Sequence, residues 1–281
     1  MTCAWQAYLN ILPTWIRQTV DSHGRDSLQE LRMRIGRPPE LLLDQMSYFG
    51  ERCISKGDLD YCINAASQYS PWSSSTVSKG YITSFGGHRI GICGDAVIID
   101  GKVSTIKTVT SVCIRVARDF PGIAGEISQL CDSTLIIGAP GSGKTTMLRD
   151  IIRHKSNQGD TVAVVDERRE IFPIAHDGFC FSTGKKTDVL SGCSKAIGID
   201  ILIRTMNPDW VCVDEITAEC DAHALLYACW CGVPILATAH AESMQDYLSR
   251  PVYKPLVNAG IFKNIIVMRR DKSWFLERMN I

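Results

Sequence analysis

The chain has 281 residues, 45% of them hydrophobic and 21% charged, enough for one large domain or two ordinary ones with a buried core. Its 30 basic and 30 acidic residues cancel, which excludes an overall basic field directed at nucleic acid or anionic lipid. The 12 cysteines are scattered through apolar runs without metal-ligand spacing, so reduced core thiols are expected and a zinc site is not.

Residues 4–20 carry Trp5, Tyr8, Leu9, Leu12, Trp15 and Ile16 at roughly helical spacing and predict a packing helix, followed by a loop at 21–24. This stretch has no basic leader and no small-residue cleavage site, so a cytoplasmic location is expected rather than secretion. In 28–39, Leu31, Met33 and Ile35 alternate with Arg32, Arg34 and Arg37, which predicts a strand with an arginine face closed by Gly36 and Pro38. A helix is expected at 58–67, capped by Asp58 or Ser55, and a polar turn at 70–75. Strands are expected at 80–85, 86–94 and 96–99, separated by Gly-Gly and Asp100-Gly101 turns, with another at 111–118. Residues 1–120 therefore read as a smaller α+β domain with an antiparallel sheet, and 121–132 as a Pro- and Gly-bearing linker that runs into a short helix.

From 133 to the end, strands alternate with helices, the pattern of an α/β domain with a largely parallel sheet. An apolar strand at 133–137 leads into Gly138, Ala139, Pro140, Gly141, Ser142, Gly143, Lys144 and Thr145, which match the phosphate-loop pattern G-x-x-x-x-G-K-[ST], and Thr146 continues into a helix. In such a loop the backbone amides and the helix N-terminus cradle phosphate, the lysine reaches the β- and γ-phosphates of ATP, and the threonine hydroxyl holds Mg²⁺. The strand at 161–165 ends in Asp166, Glu167, Arg168, Arg169 and Glu170, with Glu167 and Glu170 placed to orient Mg²⁺ or a water at the ligand-bearing edge of the sheet. Residues 188–206 read as one helix stopped at 207–209. The strand at 210–215 ends in Asp214 and Glu215, one acid for the Mg²⁺ shell and the other, expected to be Glu215, to polarise the attacking water. A buried helix at 222–230 and a strand at 234–238 follow, with Thr238 and His240 at the tip as candidate γ-phosphate sensors. Gly232-Val233-Pro234 breaks the longest uncharged run, against a membrane span. A hairpin at 265–276 closes the domain.

In this order the motifs resemble the secretion-ATPase superfamily, the hexameric motors of type II and type IV secretion and of pili. The carriers are the P-loop, the acidic stretch 166–170, 204–209 leading into Val213-Asp214-Glu215-Ile216, and Thr238-Ala239-His240-Ala241. The resemblance implies a RecA-like P-loop core, ATP and Mg²⁺, and a homo-oligomeric, hexameric ring. In those motors a glycine commonly precedes the catalytic glutamate, whereas Asp214 stands here, which leaves the division of labour between Asp214 and Glu215 open. The N-terminal stretches 30–38, 86–94 and 114–118 resemble, within that superfamily, the stage III sporulation AA family of endospore-forming bacteria. This implies a mother-cell ATPase, peripheral to the membrane, that works with other sporulation proteins in the channel between mother cell and forespore. Superfamily relatives supply arginines from the N-terminal domain to the nucleotide, which makes Arg89, Arg115 and Arg118 candidates; as solvated sheet arginines they need no such role. Two alternatives stay open, a nucleic-acid motor on the same core and an assembly scaffold that binds nucleotide without turnover.

Overall fold

A computed structural model describes residues 1–44, 46–67, 80–175 and 178–279, and the polar turn expected at 70–75 lies outside them. The chain divides into one unit of Met1–Asp119 with Pro173–Phe181 and a second of Phe120–Phe172 with Ser182–Ile281.

In the first unit the helix expected at 4–20 is two helices, α1 (Trp5–Asn10) and α2 (Thr14–Gly24), because Pro13, with no amide hydrogen to donate and an extended backbone, ends one and starts the next. The expected loop at 21–24 is the last turn of α2. Strands β1 (Leu28–Arg34), β2 (Glu40–Leu43) and β3 (Met46–Phe49) precede α3 (Lys56–Ser67), and β4 (Tyr81–Thr83), β5 (Arg89–Ile99) and β6 (Lys102–Arg115) follow it. Ser55 and Asp58 cap α3 reciprocally, the Ser55 hydroxyl accepting the Asp58 amide at 3.2 Å and the Asp58 carboxylate accepting the Ser55 amide at 2.8 Å. Among the described residues these strands form a six-stranded antiparallel sheet in the order β3-β2-β1-β6-β5-β4. Asp100 and Gly101 both have positive φ, 51° and 73°, the backbone of a two-residue hairpin turn. The separate strands expected between 86 and 118 are the two long arms of this one hairpin, with register shifts after Cys93, Asp95 and Val97 absorbing the breaks. Leu28, Leu31 and Met33 of β1 meet Tyr8, Leu12 and Ile16 in the buried core.

His88 lies wholly inside this unit. Its Nδ1 accepts the Ala117 amide at 3.0 Å and its Nε2 lies 3.0 Å from the Ala4 carbonyl, so the ring is neutral with its proton on Nε2. Burial pushes this imidazole down to about 4.

The second unit opens with β7 (Thr134–Gly138), α4 (Lys144–Gln158) and β8 (Val162–Asp166). The chain then contributes the short hairpin β9 (Ile174–Ala175) and β10 (Gly178–Phe179) to the first unit before it returns. β11 (Thr187–Ser191), α5 (Lys195–Met206), β12 (Trp210–Ile216), α6 (Glu219–Trp230), β13 (Ile235–Ala239), α7 (Met244–Ser249), α8 (Lys254–Asn258), β14 (Asn264–Met268) and β15 (Trp274–Arg278) complete it. The described residues form a seven-stranded sheet in the order β11-β8-β12-β13-β7-β14-β15, parallel except for the antiparallel edge strand β15. The helix expected over 188–206 is a correction: its first part is the edge strand β11, paired with β8, and Gly192 at φ 83° turns the chain before α5 begins. The stretch expected as a linker is bound to α4, since the buried Asp150 carboxylate accepts the amides of Gly122 and Ala124 at 3.0 and 2.8 Å and Lys155 donates to the Leu130 carbonyl at 2.6 Å. Among the described residues no helix is long and apolar enough to cross a membrane. The parallel order brings the C-terminal ends of β7, β8, β12 and β13 to one edge, where the sequence places its acids and the P-loop.

Candidate functional site

The P-loop connects β7 to α4. Gly138 is in register with Met268, and a side chain there would stand 2.6 Å from the Met268 carbonyl oxygen, so the position admits only hydrogen. Gly143, at φ 101°, starts α4 with no side-chain cap, which leaves the first amides of a 15-residue helix directed into the loop. Ser142 is fully buried and its Oγ has no hydrogen-bond partner. Lys144 is also buried, its Nζ donating to the carbonyls of Gly138 and Ala139 at 2.8 and 2.9 Å and to Nδ1 of His240 at 3.1 Å. Burial lowers its pKa against the opposing pull of Asp214 and Glu215.

Adjacent side chains of a regular strand point to opposite faces, yet Asp214 and Glu215 serve one edge. The reason is a bulge: Val213 pairs with Ala237 and Ile216 with Ala239, so β12 uses one more residue than β13 over the same span. Glu215 takes the turn, with φ 55°. Asp214 then accepts the Thr145 hydroxyl at 2.7 Å on one oxygen and the Thr238 hydroxyl on the other, while Thr238 Oγ1 accepts the Glu215 amide at 2.8 Å. The Glu215 carboxylate meets His240 Nε2 at 2.8 Å and the Arg168 guanidinium at 2.5 Å. Because the lysine only donates, His240 Nδ1 is the acceptor and the ring proton lies on Nε2, toward Glu215. Lys144, His240 and Glu215 thus form one hydrogen-bonded line.

The acidic stretch after β8 is organised by its first residue. Asp166, buried, accepts the amides of Glu170 and Phe172, each at 2.8 Å, and burial pushes its carboxyl up to about 6. Glu167 is ion-paired at 2.7 Å with the buried Lys195, which also stands 3.5 Å from Asp221. The backbone carbonyl of Glu170 accepts from Arg149 at 2.9 Å. The structure therefore gathers Lys144, Thr145, Asp214, Glu215, Thr238 and His240 in one network and sets Glu167 on a lysine. Among the described residues no group of three or more His, Cys, Asp or Glu side chains forms a metal cluster by itself. A hydroxyl and a carboxylate at the mouth of an uncapped helix fit Mg²⁺, a hard cation bound through one or two protein oxygens and the phosphates of its substrate.

A family model described as "Sporulation stage III, protein AA" matches residues 5–274. The chain belongs to this family. The stage III sporulation protein AA of Bacillus subtilis (strain 168) is 34% identical over 257 residues, which cover 88% of this chain and 84% of that protein. Among solved structures, the Legionella pneumophila ATPase DotB superposes with a TM-score of 0.63 at 16% identity, covering 95% of this chain and 80% of its own. The pilus retraction motor PilT, solved with bound ADP, gives a TM-score of 0.65 at 16% identity, covering 95% and 82%. This stage III AA family chain accordingly has a secretion-type ATPase fold, an α/β core with a smaller α+β domain ahead of it.

In the first unit, Arg118 is committed to backbone carbonyls, donating to Leu28, to Gly24 at 3.4 Å and to Arg25 at 3.0 Å. Arg115 stands 3.1 Å from Glu30, and the Arg89 guanidinium lies 4.2 Å from the centre of the Tyr81 ring. Sequence reasoning gave no role to Arg168, Lys195 or Lys272. Arg168 lay in plain view inside the acidic stretch, but the other two have no motif, and only the folded chain brings Lys195 to Glu167.

Proposed function

We propose that this chain is a Mg²⁺-dependent ATPase, one subunit of a homo-oligomeric ring that lies at the membrane and energises the sporulation channel between mother cell and forespore. Family membership supports the sporulation setting, and the resemblance to secretion motors supports the ring. The observation that carries the enzymatic reading is the Thr145–Asp214 hydrogen bond of 2.7 Å with Glu215 turned to the same edge by the bulge.

In this reading the loop amides and Lys144 bind the β- and γ-phosphates, and Thr145 with Asp214 behind it holds Mg²⁺. Held there, Mg²⁺ would supply neutralisation of the phosphate charge. Glu215 accepts a proton from the attacking water, and in this reading Asp214 serves the metal and Glu215 the nucleophile. His240 links Glu215 to Lys144, so movement of the lysine onto phosphate is felt at the base. Arg168 occupies the other Glu215 oxygen, and its guanidinium is the more exposed partner of that pair.

The test is the ATPase rate per protomer against protein concentration, with Glu215→Gln as the blank. A rate that climbs with concentration and vanishes in the variant supports a ring with shared sites. A variant that turns over as fast as the parent removes Glu215 from the mechanism.

A further inference from the structure

The strand on the other side of the P-loop strand delivers a cation of its own. β14 is in register with β7, Met268 facing Gly138, so the turn at 269–273 begins level with the first glycine of the loop. This turn is closed by its own hydrogen bonds: the Lys272 amide donates to the Arg269 carbonyl at 3.1 Å, the Arg269 amide to the Ser273 carbonyl at 2.9 Å, and Asp271 accepts the amide and hydroxyl of Ser273 at 2.9 and 2.6 Å. Lys272 itself has φ 70°, and its side chain runs back over the loop. Its Cδ passes 3.8 Å from where a Cβ of Gly143 would stand, and its Nζ donates to the Gly141 carbonyl. His240 thus comes to the loop from β13 on one side of β7, and Lys272 from the β14–β15 turn on the other.

A lysine has three donors, and the Gly141 carbonyl takes one. A mobile surface cation gains little from a lone carbonyl, but beside a loop whose amides bind phosphate the same ammonium adds a charge-assisted contact. We propose that Lys272 is a second phosphate-binding lysine, which contacts the diphosphate of the bound nucleotide from the β14–β15 side. The inference rests on the nucleotide reading above.

Its test is equilibrium binding of MgADP to the full chain, measured by displacement of a fluorescent ADP, for the parent and for Lys272→Gln and Lys272→Arg. Glutamine keeps an N–H donor but carries no charge, whereas arginine keeps both. The expected result is about a tenfold loss with Gln, about 1.4 kcal/mol, near-parental binding with Arg, and a gap that closes as salt rises. Parental affinity in the Gln variant, or a loss that salt leaves unchanged, would assign Lys272 to propping the loop and overturn the proposal. A parent chain that binds no MgADP at all overturns the nucleotide reading itself, and this inference with it.

Discussion

Thr238, on β13, donates its hydroxyl to Asp214 on the neighbouring strand. The same oxygen accepts the amide of Glu215 at 2.8 Å, and Thr238 is fully buried. One hydroxyl therefore fixes both the carboxylate that faces Thr145 and the backbone that turns Glu215. Thr238→Val keeps the shape but orphans the Glu215 amide, so it is expected to cost about 1–3 kcal/mol of stability. It is also expected to lower turnover about tenfold or more through the displaced acids, roughly the 1.4 kcal/mol of one factor of ten. Urea unfolding and steady-state ATPase assays on one preparation check both.

Glu215 sits at φ 55°, where any residue with a Cβ is strained. Glu215→Gly is therefore expected to be more stable than Glu215→Ala by about 1 kcal/mol, although both lose the carboxylate. Equal midpoints for the two in thermal or urea unfolding would show that the backbone there is relaxed. Glu215→Gln, which keeps the side chain's size, is expected to bind ATP and release no phosphate.

His240 touches Lys144 on one nitrogen and Glu215 on the other, at 3.1 and 2.8 Å. Removing it with His240→Ala leaves the loop amides and Lys144 in place for phosphate but breaks the line to Glu215. The expected outcome is a fall in kcat of about a hundredfold, the lower end of what proton-transfer groups contribute, with MgADP affinity within about threefold of the parent. A loss of affinity equal to the loss in kcat would make His240 a binding residue instead.

The neutral His88 gives the first unit a sensitivity to acid. Its folded pKa, about 4, lies below the ordinary histidine value near 6.5, so the unfolded chain takes up the proton first. The stability that this difference represents is present above about pH 6.5 and is lost as the pH falls toward 4, up to about 3 kcal/mol. Urea midpoints of the parent and of His88→Gln, compared between pH 7.5 and 4.5, are expected to converge on the acid side. A constant difference between them would mean that the ring is not the titrating group.

The parts of the site that the sequence revealed are those in which chemistry requires fixed spacing along the chain. The eight residues from Gly138 to Thr145 and the pair Asp214-Glu215 after four apolar residues are of this kind. Where a role depends on contacts across the fold, the linear pattern carried no trace. Glu167 is expected near the metal because it follows a strand; its ion pair with Lys195, which lies in a helix of its own, is not announced by any spacing. The bulge that brings Asp214 and Glu215 to one edge is a matter of pairing between strands. Residues 188–206 read as one helix because Val189, Leu190, Cys193 and Ile197 fall at helical spacing, while the strand at Thr187–Ser191 is five half-buried residues at a sheet edge, too short for its period to be read. Pro13 did signal a break in the first helix, and the apolar pattern running through it concealed the signal.

The excursion of Pro173–Phe181 into the first unit means that the polypeptide passes from one unit to the other at 119/120, at 172/173 and again at 181/182. No single cut separates them. A fragment starting at 120 would carry a hairpin whose native surroundings in the first unit had been removed, and a fragment ending at 119 would lack that hairpin. The acidic stretch that closes on Phe172 is therefore followed, with no intervening residue, by the hairpin that belongs to the other unit, so the sequence carrying Glu167, Arg168 and Glu170 cannot be excised from that hairpin without a cut beside Phe172.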